Sequence, residues 1–165
     1  MVYFVGAGPG APDLITVRGQ ELLKRADIII YAGSLVNAQL LKAAPACCLI
    51  YNSAVMTLEE VMEVMVQGER EGKTIVRLHT GDPSLYGAIR EQMDRLEEAG
   101  IAFEVCPGVS SFCGAAASLQ AEYTLPGVSQ TVIITRMEGR TPVPERERLR
   151  SLAAHGSTLV LFLST

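Results

Sequence analysis

The sequence has little aromatic content: it contains no tryptophan, and aromatic residues make up only 5% of the chain. Single-stranded nucleic acids stack their bases on aromatic side chains, so we do not expect a nucleic-acid partner. Basic charge is also scarce, because 14 Lys and Arg against 18 Asp and Glu give a net charge of −4. No global basic field is therefore available to attract DNA, RNA or an anionic membrane surface.

The sequence also lacks the spacing of a metal or redox site. Its four cysteines, Cys47, Cys48, Cys106 and Cys113, form no CxxC motif, so neither a zinc centre nor a thioredoxin-like site is expected. No run approaches the roughly 20 apolar residues of a membrane span, and no charged leader precedes the first apolar run. We therefore expect reduced thiols in a cytoplasmic protein.

What the sequence does contain is a regular alternation of apolar runs and helical segments. Five short apolar runs lie at residues 2–5, 28–31, 48–51, 74–78 and 102–106. Between them, helices are predicted at 16–25, 38–42, 57–71 and 87–99, and the third of these opens with a capping box formed by Thr57 and Glu60. This order predicts an α/β domain over residues 1–120, with a mainly parallel five-stranded sheet and flanking helices.

The pattern changes after residue 120. Residues 121–130, AEYTLPGVSQ, predict a linker, and residues 131–165 predict the beginning of a second α/β domain. That part has only a strand at 131–135, a charged helix at 145–154 and a strand at 157–163. Because two strands and one helix leave a sheet edge and a sheet face uncovered, we expect the second domain to be truncated. We accordingly expect weak or undetectable turnover from residues 1–165 alone.

Four loops rich in small residues follow predicted strands: GAGPG, AGSLVN, TGDPSLYG and PGVSS. Ligands of open parallel sheets bind beyond the carboxyl ends of the strands, so four such loops predict a lined cleft. GAGPG fits the dinucleotide motif GxGxxG poorly, and the second strand ends on Tyr31 rather than on an acidic residue. The loop is therefore either a tight turn or a glycine- and proline-lined wall against a compact ligand.

The polar residues near these loops allow two interpretations each. Asp82 or Ser84 is expected to cap the helix that follows, which is compatible with a ligand on the same backbone. His79 is more typical of a packed strand end than of a base. Ser110 and Ser111 lack the GxSxG context of a hydrolase nucleophile, so they are expected to cap a helix or to hydrogen-bond a ligand. No catalytic residue and no metal ligand is assigned.

Three of these motifs in this order, GAGPGAPDLIT, GDPSLYG and PGVSS, resemble the tetrapyrrole methylase family over essentially the whole chain. The resemblance implies a two-domain α/β enzyme, usually a homodimer, that binds S-adenosylmethionine and methylates an anionic tetrapyrrole, with S-adenosylhomocysteine as the product. YAGSLVN, LHTGDPSLYGAIREQMD and SQTVIITRMEGRTPVPE are similar to the branch that methylates carbon 11 of the macrocycle in cobalamin biosynthesis.

The resemblance also implies roles for individual residues. Those implied to contact the cofactor are Pro9, Thr80, Gly81, Asp82, Leu85, Ser110, Ser111 and, from the second domain, Met137. Many family members have Asp where this chain has Ala11, so no acid is expected to act there.

The expected substrate is rich in carboxylates, which guanidinium groups bind well. We therefore hypothesise that Arg136 or Arg140 pairs with substrate carboxylates; the alternative is that both are ordinary surface arginines.

Other functions stay open on the sequence alone. A relative of the same fold could act on another precorrin, on ribosomal RNA or on a modified histidine of a protein. A non-catalytic nucleotide-sensing module could use the same glycine loops.

Overall fold

The computed structural model describes residues 1–139 and 142–163, so the predicted substrate residue Arg140 lies outside the described residues. The chain divides into two units, Met1–Gly114 and Ala115–Thr165. The strands are β1 (Val2–Gly6), β2 (Ile28–Tyr31), β3 (Leu49–Asn52), β4 (Ile75–His79), β5 (Phe103–Cys106), β6 (Val132–Arg136) and β7 (Thr158–Phe162). The α-helices are α1 (Val17–Lys24), α2 (Leu58–Arg70), α3 (Arg90–Glu98), α4 (Ser111–Leu119) and α5 (Leu149–Ala153).

The first unit contains a five-stranded sheet in the order β3-β2-β4-β1-β5. Every neighbouring pair in it is parallel, which confirms the predicted α/β class. In the register, Gly6 lies beside His79, and Val5 lies beside Cys106. Strands β1, β4 and β5 therefore end level with one another, and the loops that follow them leave the sheet at the same edge.

Side-chain caps and two apolar layers hold the helices on this sheet. The Thr16 hydroxyl accepts a hydrogen bond from the backbone N–H of Gly19 at 3.1 Å, and Thr57 and Glu60 form the predicted capping box of α2. One face of the sheet packs against α1, where Leu22 and Leu23 are buried. The other face packs against α2 and α3; its buried side chains include Val2, Phe4, Ile30, Met65, Ile75 and Leu96.

Three predicted helices differ from the structure. Residues 38–42 belong to a 3₁₀ helix, Ala38–Ala43. Helix α3 begins at Arg90 rather than at residue 87, because Ala88 has a left-handed backbone with φ of 50°. The predicted helix at 145–154 is divided into a 3₁₀ turn, Glu145–Glu147, and α5, since Arg148 between them has an extended backbone.

In the second unit, β6 and β7 form a parallel pair. The N–H of Thr158 donates to the Ser129 hydroxyl at 3.0 Å, and the Thr158 hydroxyl donates to the carbonyl of Tyr123 at 2.8 Å. These bonds fix residues 121–130 against the start of β7. Throughout the described part of the chain, no helix combines the length and the apolar character needed to cross a membrane.

Candidate functional site

The loops that follow β1 and β4 are joined through their backbones. The N–H of Gly8 donates to the carbonyl of Gly81 at 3.2 Å, and the N–H of Gly81 donates back to the carbonyl of Gly8 at 2.9 Å. One residue before, the N–H of Ala7 donates to the carbonyl of His79 at 2.7 Å. The two loops therefore extend the parallel sheet by one antiparallel bridge.

Two glycines allow the loop after β5 to pack closely against the joined loops that follow β1 and β4. A Cβ atom on Gly6 would lie 2.5 Å from the Cα of Gly108 and 2.6 Å from the carbonyl oxygen of Gly81. A Cβ atom on Gly108 would collide with that same carbonyl oxygen. Since real Cβ atoms do not approach backbone atoms so closely, Gly6 and Gly108 are needed for their small size. We call Gly6, Gly81 and Gly108 the glycine junction.

Asp82 connects the loop after β4 to the loop after β5. One carboxylate oxygen accepts the backbone N–H of Gly108 at 2.8 Å, and the other accepts both the backbone N–H of Ser84, at 2.8 Å, and the Ser84 hydroxyl. Burial raises the pKa of Asp82, but these hydrogen bonds outweigh it and lower the pKa overall. Asp82 is thus a charged group that holds the loops together.

The expectation that Asp82 or Ser84 caps the following helix is wrong. Both residues lie in the turn before it, and α3 begins eight residues after Asp82 with no side-chain cap at its N-terminus. The Asp82 carboxylate is already engaged by Ser84 and Gly108, so a ligand here would meet the loop's backbone rather than a free carboxylate.

The GAGPG loop forms the tight turn that was one of the two interpretations of its sequence. Gly8 and Gly10 have positive φ of 79° and 125°, as a tight turn requires. Pro9 packs closely on Gly114 of α4, where a Cβ atom would lie 2.6 Å from the Cβ of Pro9. A Cβ atom on Gly10 would meet nothing within 4 Å, so the loop presents an open side there. Asn37 fixes this side by donating from its amide to the carbonyl of Gly10 at 2.8 Å.

His79, at the end of β4, is a packed residue. Its side chain is 4% exposed, its ring lies 6.1 Å from that of Phe4, and its Nε2 atom has no hydrogen-bond partner among the described residues. Burial, together with the charge of Arg77, lowers the pKa of His79 to about 3. The imidazole is therefore neutral at physiological pH.

Most of the predicted cofactor residues lie together at the carboxyl ends of β1, β4 and β5. Ser110 is buried, and its Cα lies 3.5 Å from where a Cβ of Gly81 would be. Leu85 is partly exposed, and its N–H donates to the carbonyl of Asp82 at 3.2 Å. The residues of this edge are Pro9, Thr80, Gly81, Asp82, Leu85, Ser110 and Ser111.

The remaining predicted residues lie in the second unit. Met137 directly follows β6 and is 50% exposed. Together with Arg136, Arg148 and two acidic residues, Glu138 and Glu147, it lines a pocket of about 210 Å³. Arg136 thus shares this pocket with a second arginine that the sequence analysis did not single out.

The sequence did not reveal several residues that support the loops of the site. Gly108 and Asn37 were visible only as parts of small-residue loops. Arg77 and Gln92 are buried polar side chains on β4 and α3, and the apolar pattern of these elements gave no signal for them. Within residues 1–139 and 142–163, no three His, Cys, Asp or Glu side chains cluster as a metal site would require.

Comparison with known protein families shows which family the chain belongs to. The family model described as Tetrapyrrole (Corrin/Porphyrin) Methylases matches residues 1–165. The chain belongs to this family. The resemblance carried by the GAGPGAPDLIT, GDPSLYG and PGVSS motifs is thereby confirmed.

Individual tetrapyrrole methylases share both sequence and fold with this chain. A cobalt-precorrin-4 C(11)-methyltransferase of Methanocaldococcus jannaschii is 60% identical over 98% of the chain. An X-ray structure of a cobalt precorrin-4 methyltransferase, described as a cobalamin biosynthetic enzyme, superposes with a TM-score of 0.95 at 52% identity; it covers 98% of this chain and 68% of that one. A uroporphyrin-III C-methyl transferase from Thermus thermophilus, crystallised with S-adenosyl homocysteine, has a TM-score of 0.76 at 30% identity, covering 98% of this chain and 65% of that one.

The chain is shorter than the curated relative. It spans 62% of the length of the Methanocaldococcus jannaschii protein. The similarity thus covers nearly all of this chain, and the part of the methylase fold it contains includes the whole glycine junction.

Proposed function

We propose that the chain carries the cofactor-binding part of an S-adenosylmethionine-dependent C-methyltransferase. Its substrate would be precorrin-4 or cobalt-precorrin-4, methylated at carbon 11 in cobalamin biosynthesis. The observation that carries the proposal is the 60% identity, over 98% of the chain, to a protein named for this reaction. The glycine junction supports the proposal as well. It joins three loops into a continuous backbone surface at the edge of the sheet where ligands of open parallel sheets bind.

The residues at this edge suit S-adenosylmethionine by their chemistry. Its adenosyl and methionyl parts present both apolar surface and hydrogen-bonding groups. Pro9 and Leu85 offer apolar surface, and the hydroxyls of Thr80, Ser110 and Ser111 offer hydrogen bonds. The open side at Gly10 leaves room that a larger residue would fill. Gly81 and Asp82 would contribute backbone contacts, because the Asp82 carboxylate is engaged by Ser84 and Gly108.

When bound, S-adenosylmethionine supplies a methyl group on a sulfonium, which is already a strong methyl donor. The task left to the protein is to hold donor and acceptor carbon in line and to exclude water. Such alignment can lower a barrier by about 7–11 kcal/mol without any acid or base. His79 is buried and its pKa is lowered to about 3, which makes it a poor general base, and no general base is assigned. Met137 of the second unit is proposed as a further cofactor contact.

The substrate would be held by local positive charge, since the chain as a whole has a net charge of −4. Arg136 is proposed to pair with a carboxylate of the tetrapyrrole; Arg148 lines the same pocket, as do the acidic residues Glu138 and Glu147. Arg140 remains a candidate for the same role. The family resemblance further supports a homodimer, and four unpaired cysteines support a reducing, cytoplasmic location.

Because weak or undetectable turnover is expected from residues 1–165 alone, the reaction is tested with a full-length methylase that contains this chain, incubated with S-adenosylmethionine and either precorrin-4 or cobalt-precorrin-4. Mass spectrometry should find one added methyl group, and NMR of the product should place it on carbon 11. Methylation of an earlier precorrin, with none on these two substrates, would overturn the assignment of substrate. Comparing the two substrates also determines whether cobalt is already present in the macrocycle.

A further inference from the structure

The segment that links the site to α3 has a strained backbone. Tyr86 and Ala88 both have left-handed φ, 56° and 50°, which costs a non-glycine residue about 1 kcal/mol or more. Gly87 lies between them, and a Cβ atom on it would collide with the carbonyl oxygen of Pro83. A backbone of this kind persists only where its surroundings hold it. Leu85, one of the proposed cofactor contacts, lies directly before this segment.

A series of hydrogen bonds between buried polar groups connects the centre of the sheet to this segment. On β4, Arg77 donates from Nη1 to the carbonyl of Ile30, on β2, at 3.2 Å and from Nε to the Oε1 atom of Gln92 at 3.2 Å. Gln92, on α3, then donates from Nε2 to the carbonyl of Ala88 at 3.1 Å. Arg77 and Gln92 are only 8% and 5% exposed. Burial lowers the pKa of Arg77 to about 10, so it stays charged at neutral pH.

Each residue in this series of hydrogen bonds has a defined role. The two strands fix Arg77, because β2 and β4 are neighbours in the middle of the sheet. Arg77 orients the amide of Gln92, since a guanidinium can only donate and must therefore face Oε1. The Nε2 atom is thereby directed at the carbonyl of Ala88, next to the strained residues.

We propose that Gln92 is a positioning residue for the cofactor site. Held by Arg77, it fixes the carbonyl of Ala88 and so maintains the left-handed segment that places Leu85. It acts through the segment and does not touch the reacting atoms. The proposal deepens the proposed function, on which the expected cofactor effect depends.

Gln92→Glu separates this role from simple packing. A glutamate has nearly the same shape and still offers Arg77 an acceptor, so the buried charge keeps its partner. It has no donor for the carbonyl of Ala88 and presents a repelling oxygen instead. Gln67→Glu is the matched control, because Gln67 also donates its Nε2 to an oxygen four residues away in sequence, that of Glu71, but on the exposed side of α2.

The first measurement is amide hydrogen exchange of residues 84–89 in the full 165-residue chain without ligand. The proposal predicts that Gln92→Glu speeds exchange in this segment about five- to tenfold, as expected for the loss of one buried hydrogen bond, while α1 exchanges as before. Gln67→Glu should leave the segment unchanged. A second variant, Gln92→Met, lacks both hydrogen bonds and must show the same local loss. If either variant keeps its protection at 84–89, the proposal is wrong.

The second measurement is the dissociation constant for S-adenosylhomocysteine. Gln92→Glu should raise it about tenfold. Ala88→Gly removes the cost of the left-handed backbone, so the double variant Gln92→Glu with Ala88→Gly should recover most of the lost affinity. If the change in the dissociation constant of the double variant is simply the product of the changes in the two single variants, the proposal is wrong. If the unaltered chain binds no S-adenosylhomocysteine, the proposed function fails, while the exchange measurement still tests whether Gln92 holds the segment.

Discussion

The backbone N–H of Gly108 donates to the carboxylate of Asp82 at 2.8 Å, and this bond joins the loops that follow two strands separated in the sheet by β1. The same carboxylate accepts the N–H of Ser84. One charged side chain thus fixes both loops relative to each other. The proposed cofactor contacts Gly81 and Ser110 lie on these loops, so their spacing depends on Asp82.

Asp82→Asn should therefore weaken both stability and ligand binding. An amide has one acceptor oxygen where the carboxylate has two, so either Gly108 or Ser84 loses its partner. The expected cost is about 1 kcal/mol in the free energy of unfolding, measured by urea denaturation, and about a fivefold loss of affinity for S-adenosylhomocysteine. Asp27→Asn is the control, because Asp27 accepts the N–H of Thr74 at 2.8 Å away from the site. Because the asparagine amide keeps the one acceptor oxygen that Thr74 needs, this variant should keep both its stability and its affinity; equal affinity losses in both variants would contradict the role of Asp82.

Gly108→Ala should lower the free energy of unfolding far more than a glycine-to-alanine substitution at a position with open space around it. The added methyl group would collide with the carbonyl of Gly81, and overpacking against backbone costs about 3 kcal/mol or more. Gly139→Ala adds the same methyl group where nothing lies within 4 Å and should leave the unfolding free energy unchanged. Urea denaturation compares the two. A Gly108→Ala protein as stable as the Gly139→Ala protein would show that the glycine junction is not tightly packed.

The neutral state of His79 predicts how stability depends on pH. Its pKa is about 3 in the folded chain and about 6.5 when unfolded, so the unfolded state binds the proton first as the pH falls. The stability due to the neutral imidazole is full above about pH 6.5 and should fall by roughly 2 kcal/mol by about pH 5.

His79→Leu provides the comparison. It fills the same apolar place beside Phe4 without a titrating group. The difference in unfolding free energy between the unaltered chain and His79→Leu should therefore shift by that amount between the two pH values. A difference that does not change with pH would show that His79 is not buried in its neutral form.

Arg136, the last residue of β6, or Arg140 is expected to bind the substrate. At least one of the variants Arg136→Ala and Arg140→Ala should raise the dissociation constant for cobalt-precorrin-4, followed by absorbance, by about tenfold for a lost charged contact. Arg70→Ala removes an exposed arginine at the end of α2 and should have no effect. If neither Arg136→Ala nor Arg140→Ala alters the dissociation constant, the tetrapyrrole is bound elsewhere.

The sequence predicted the sheet well because its signals are local. β2 is bounded by the residues that the apolar run indicated, and the capping box of Thr57 and Glu60 needs only two residue types at a short spacing. The small-residue loops were found for the same reason. Their position at one edge followed from the parallel order of the strands.

The features that the sequence could not predict depend on contacts distant along the chain. The role of Asp82 as a link requires Gly108, 26 residues away, and the sequence alone offered only a local cap. The start of α3 depends on the left-handed Ala88, and an alanine gives no sign of such a backbone. The apolar run at 74–78 gave no sign of what Arg77 would contact, since its partners Ile30 and Gln92 come together only in the fold.

We propose above all that the loops after β1, β4 and β5 bind S-adenosylmethionine. Isothermal titration calorimetry of the chain with S-adenosylmethionine, ATP and NAD tests it most directly, with Leu85→Arg as a variant that places a long charged side chain at the site. We expect saturable binding of S-adenosylmethionine at one site per chain, lost in Leu85→Arg, and no comparable binding of ATP or NAD. Tight binding of ATP or NAD with none of S-adenosylmethionine would contradict it.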